Sequence, residues 1–144
     1  DANYVIGVRM WYPELPWKDP IFGSAKEFAE YFHTIHGRYP DYTEASCAAT
    51  GVFIQKLLEK YKLTPPFDEE KKLKMIDALE EFECETLLGV VKFSTDPEHW
   101  HVNIGLVKYL VVVQIIDVKP VTLWPEEAAE AEIVFPFPSW EARG

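Results

Sequence analysis

Cysteine is nearly absent from this 144-residue chain, which has only Cys47 and Cys84. Two thiols with no Cys or His neighbour at zinc spacing exclude a disulfide framework and a structural zinc site, and both are expected as reduced core residues. No apolar run is long enough to span a bilayer. The longest, Tyr109 to Ile116, is strand-sized, against the roughly 18–20 residues that crossing demands. Positive charge is also scarce, with 14 Lys and Arg against 24 Asp and Glu and a formal net charge of −10. Binding a nucleic-acid backbone needs clustered Lys and Arg to displace counterions, so that class of partner is excluded. There is no Gly-x-Ser-x-Gly elbow, phosphate loop or dinucleotide fingerprint. Nothing points to an enzyme, and no cofactor or metal is implied. Asp1-Ala2-Asn3 lacks the basic start and apolar middle of a signal peptide, so an export signal is not expected within these residues.

What is present suffices for one ordinary core, at 48% hydrophobic residues. Tyr4 to Val8 is a short apolar run that reads as a buried strand, followed by an extended segment stiffened by Pro13, Pro16 and Pro20. Three helices follow. Ser24 is placed to cap the first, whose stripe is Ala25, Phe28, Ala29, Phe32 and Ile35, and Gly37 stops it. Asp41 is placed to cap the second, which runs through Ala45, Ala48, Ala49, Val52, Ile54, Leu57, Leu58 and Tyr61 towards Pro65-Pro66. The small residues of its first half, Ala45 to Gly51, predict close approach to another element. Asp68-Glu69-Glu70 opens the third helix, with Leu73, Ile76 and Leu79 as its apolar seam.

The period then changes. Leu87 to Phe93 and Leu106 to Ile116 read as strands, and Asp117-Val118-Lys119-Pro120 turns into Val121-Thr122-Leu123-Trp124 as a hairpin. One helical turn is expected within Ala128 to Glu132, then extended chain over Ile133-Val134-Phe135 and no regular structure over Pro136 to Trp140. His33 and His36 share a helical face, with His99 and His101 as distant partners. Without a third carboxylate or thiolate they read as ordinary polar histidines. Glu80, Glu81, Glu83 and Glu85 read as a solvated face rather than as paired catalytic acids.

Several blocks occur together and in order: Trp11-Tyr12-Pro13-Glu14-Leu15-Pro16, Gly23-Ser24-Ala25, Gly37-Arg38-Tyr39-Pro40-Asp41-Tyr42, Gly89-Val90-Val91-Lys92-Phe93, Val113-Gln114-Ile115 and Pro136-Phe137-Pro138-Ser139-Trp140. In this arrangement the chain resembles the C-terminal third of the periplasmic binding proteins that feed branched-chain amino acids, amides or urea to ABC transporters. The resemblance implies an α/β fold class, a fragment of a two-lobed architecture with three consecutive helices, a small mixed sheet and a C-terminal hairpin. It also implies one partial unit, in which residues 1–20 correspond to a second-lobe strand and hinge segment and 21–86 to first-lobe helices. Residues 87–144 then correspond to hinge and second-lobe strands with an irregular tail.

The resemblance further implies a periplasmic or extracellular parent that binds a small amino acid or amide between its lobes and delivers it to a transporter permease. The residues it nominates for the ligand are Trp11 and Tyr12, at the C-terminal end of a strand where α/β sheets bind ligands, and Tyr42, Glu44 and Ser46 in the first turn of the second helix. Tyr42 and the backbone N–H groups of that helix start would receive a ligand carboxylate. Helices built to cover an absent sheet should leave apolar faces that drive homo-oligomerisation, and the isolated chain should bind ligand weakly. The alternative reading is a free-standing α+β interaction or adaptor protein with no small-molecule ligand.

Overall fold

The structure is a computed structural model that describes residues 2–98 and 110–142. It belongs to the mixed α/β class, with three consecutive helices set among small sheets. Strand β1 (Ile6–Arg9) leads through Trp11 and Tyr12 to a two-residue pair of strands, β2 (Lys18–Asp19) and β3 (Gly23–Ser24). Helices α1 (Ala25–His36), α2 (Tyr42–Tyr61) and α3 (Glu69–Glu81) follow. A tight hairpin comes next, β4 (Glu83–Thr86) with β5 (Gly89–Lys92), and then a longer one, β6 (Val111–Ile116) with β7 (Lys119–Trp124). Every pairing between these strands is antiparallel, so the expected mixed sheet is replaced by antiparallel ones. Strands β1, β6 and β7 form the largest, with β6 in the centre.

Local chemistry explains the helix ends. The Ser24 hydroxyl accepts the Glu27 N–H at 3.2 Å while the Glu27 carboxylate accepts the Ser24 N–H at 2.7 Å, a reciprocal capping box. Gly23 makes this possible. Its φ is +78°, and a Cβ there would lie 2.5 Å from the capping Glu27 oxygen. Gly37 ends α1 in the left-handed conformation, its N–H bonded to the His33 carbonyl. Asp41 and Asp68 cap α2 and α3.

Packing divides between two clusters. In the first, Trp11, Tyr12, Leu15, Phe28 and Ala29 close over Val111 and Val113 on the inner face of the large sheet. In the second, Phe53 and Leu57 of α2 meet Ala78 of α3 and Phe82. Helix α2 serves both. Its small-residue start buries Ala45 in the first cluster, and its bulky second half buries Leu57 in the second.

Several expectations are corrected. The seam of α3 is Met75, Ala78 and Leu79, leading to Phe82, whereas Leu73 is 62% exposed and Ile76 46%. Ala78 is the one small residue that lets α3 approach α2, and this rotates Leu73 and Ile76 outwards. Cys47 is exposed rather than in the core, because it lies on the side of α2 away from Ala45 and Ala49. Cys84 is half-buried, and both thiols are free. Glu83 and Glu85 belong to β4 and not to a helix end, paired with Lys92 and Val90 across the hairpin.

Strand β1 is not buried. It is an edge strand with Val8 64% exposed, because among the described residues the C-terminal tail meets that face at Gln114 and leaves Val8 open. The helical turn expected at Ala128 to Glu132 is instead a short 3₁₀ turn at Glu126–Ala128. Residues 133–135 join no strand. Residues 106–109 of the expected strand, and His99 and His101, lie outside the described residues.

The 6–7 hairpin turns through Asp117 and Val118, both at positive φ, as a two-residue turn between twisted strands requires. A β-branched residue resists that conformation. The Val118 N–H is held by the Asn3 side-chain oxygen at 2.9 Å, which ties the N-terminal segment to the turn. A second tie is Gln114, fully buried at the centre of β6. Its amide donates to the carbonyls of Tyr4 and Val134, both at 3.2 Å, and accepts the Val134 N–H at 2.9 Å. One side chain thus stands in for a strand, holding the C-terminal tail against the sheet.

Candidate functional site

The C-terminal end of β1 and the start of α2 face one another across a cleft of about 490 Å³. Its walls include Arg9, Met10, Trp11, Tyr12, Asp41 and Tyr42. Three of the five residues nominated from sequence, Trp11, Tyr12 and Tyr42, therefore meet at one place although 30 residues separate Tyr12 from Tyr42. Glu44 and Ser46 do not line it. The Glu44 carboxylate is engaged by the Arg38 guanidinium and by the Asp41 N–H at 2.9 Å. The Ser46 hydroxyl donates to the Tyr42 carbonyl at 2.7 Å.

Each cleft residue has a distinct state. Trp11 is buried, edge-on to Phe28 with ring centroids 6.0 Å apart. Its indole N–H is also buried and has no acceptor among the described residues. An orphan donor of this kind costs about 1–3 kcal/mol. Tyr12 has its hydroxyl bonded to the Thr122 hydroxyl on the inner sheet face. Burial, and then the nearby Glu130 carboxylate, push its pKa up to about 12, so it stays a neutral phenol. Only its ring is left for the cleft. Tyr42, by contrast, is half exposed, with no hydrogen bond from its hydroxyl among the described residues. Arg9 joins no ion pair among them.

The start of α2 is not the anion seat that the sequence suggests. Asp41 accepts the Thr43 N–H at 2.7 Å and the N–H of Glu44, and Glu44 returns a bond to the Asp41 N–H. The Thr43 and Glu44 amides are already satisfied by the Asp41 carboxylate. Glu44 itself is pulled down to about 2, first by Arg38 and then by the Asp41 backbone, so this helix start stays anionic at any physiological pH. The cleft's positive group is Arg9. Sequence reasoning passed it over as the end of a strand, although β alternation places Arg9 and Trp11 two residues apart, on the same side.

A second, wider opening of about 720 Å³ lies between β2, α2 and β4, with Asp19, Lys56 and Cys84 on its walls. One Asp19 oxygen accepts the Ile21 and Phe22 N–H groups at 2.7 and 2.6 Å, a turn cap typical of Asp before Pro. Burial, and then Asp19, push the Cys84 thiol up, which makes it a poor nucleophile. Among the described residues, no group of three or more His, Cys, Asp or Glu converges as a metal site. His33 stacks on Tyr39 at 4.5 Å and His36 meets Phe32 at 4.2 Å. Searches with this chain match no protein-family model and no solved structure.

Proposed function

We propose that this chain is the cleft-bearing part of an extracellular or periplasmic solute receptor of the ABC-transporter type, and that its cleft receives a small amino acid or amide. The observation that carries the reading is the meeting of Trp11, Tyr12 and Tyr42 with one cation, in no ion pair among the described residues, and one carboxylate around a single concavity. Arg9 is suited to a ligand carboxylate through paired N–H bonds. Asp41 and the faces of Trp11 and Tyr42 suit an ammonium group. Met10 supplies apolar wall for a short aliphatic side chain.

The reading involves no bond-breaking step. Binding is reversible, and closure of the parent around its ligand signals a permease by population shift. A cleft open to solvent between its two walls leaves its ligand half solvated, so affinity in the millimolar range is expected for the chain alone. Saturation-transfer NMR with leucine, valine, glycine, acetamide and urea tests this, on the wild type and on Arg9→Ala. Saturable binding of the amino acids is expected, weakened about tenfold by Arg9→Ala, with the uncharged amides little affected. The reading fails if none of the five saturates.

A further inference from the structure

We propose that the outer face of the three-stranded sheet is a seat for a second copy of this chain, packed face to face about a two-fold axis. The register sets Ile6, Val8, Val112, Gln114, Ile116 and Val121 on this face, with Trp124 opposite Val112 and Lys119 at its margin opposite Ile116. The inner face is closed by the first core cluster. Among the described residues, the outer face is crossed by the tail that Gln114 holds at Val134. Ile6, Val8 and Trp124 remain exposed beside it, and the tail adds Ile133, Phe135 and Phe137, the two Phe rings edge-on at 5.6 Å. An antiparallel sheet that meets water on one side normally turns polar there. This one keeps apolar Ile6, Val8 and Trp124 exposed there, with Gln114 buried under the tail and Lys119 at the margin.

Area favours a copy of the chain as the occupant. The six exposed side chains, Ile6, Val8, Trp124, Ile133, Phe135 and Phe137, leave roughly 450 Å² of apolar surface, taking about 200 Å² for a full aromatic side chain and about 90 Å² for an aliphatic one. A standard interface buries about 800 Å² per partner, about 60% of it apolar, or roughly 480 Å². One self-complementary face therefore supplies what a stable isologous dimer needs. Charge is compatible too. None of the six is ionisable in a chain of net charge −10, so repulsion acts between other surfaces and added salt should strengthen association.

Sedimentation equilibrium over about a hundredfold range of concentration tests the proposal by mass action. The wild type should approach twice the 16.7 kDa chain mass. Val8→Lys and Phe135→Lys should each raise the dissociation constant at least about tenfold, because each would bury an unpaired ammonium. Both positions are exposed, so circular dichroism should report an unchanged fold, and Phe135 lies outside the cleft. A wild type that stays monomeric throughout overturns the proposal and leaves the face to a different protein. A dimer that neither variant weakens places the interface elsewhere and overturns it equally.

Discussion

The two faces of the β1–β6–β7 sheet are built from the same strands and similar residues, yet they have opposite surroundings. Val111 and Val113 point inward and are closed over by Trp11, Tyr12 and Phe28, whereas Val8 and Trp124 point outward and stay in water. Strand composition therefore does not decide burial here. The inner face is covered because α1 and the Trp11–Leu15 segment fold back onto it. Among the described residues, the outer face has a tail held by one glutamine.

The largest contrast between the faces comes from truncation. Phe28→Ala should cost about 3–5 kcal/mol of unfolding free energy, the usual range for emptying an aromatic core position. Val8→Ala should cost about 0.5 kcal/mol or less at low concentration, as exposed substitutions do. Equal losses in urea denaturation would break the comparison.

Gln114→Ala comes next, removing three hydrogen bonds and leaving the Val134 N–H without its partner. A loss of about 2–3 kcal/mol is expected, with proteolysis beginning in the tail near Val134. If cleavage stays uniform along the chain, the tail is not held in the way described.

The narrowest effect, confined to alkaline pH, is electrostatic and belongs to the inner face. The folded pKa of Tyr12 is raised to about 12 from 10.0. The unfolded chain therefore loses this proton first as pH rises. The Tyr12 contribution is complete below pH 10 and is lost between 10 and 12. Tyr12→Phe should flatten that part of the stability profile, and an unchanged slope would sink the assignment.

Where structure depends on neighbouring residues, it was legible in the sequence. The caps at Ser24 and Asp41, the acidic start of α3 at Asp68 and the stop at Gly37 follow from interactions within one turn of chain, and the hairpin at Asp117-Val118 from the residues around it. Where structure depends on what covers an element, legibility ended. The unbroken apolar run Val5-Ile6-Gly7-Val8 carries the pattern of a strand buried on both sides, but only its neighbours decide that. The seam of α3 moved because one alanine allows the closest approach to α2. For the site, the aromatics were legible as residue types at strand and helix ends. Their meeting with Arg9, and the occupation of the α2 amides by Asp41 and Glu44, arise only when distant segments face each other.

The comparison and the proposed function meet in the tryptophan indoles, since Trp11 lines the cleft on one side of the sheet and Trp124 stands on the other. Titrating leucine into ¹⁵N-labelled chain and following both indole N–H resonances tests the central claim directly. A saturable shift of the Trp11 signal with Trp124 unmoved is the expected result. A Trp11 signal that stays fixed at saturating leucine, or moves no more than that of Trp124, would contradict it.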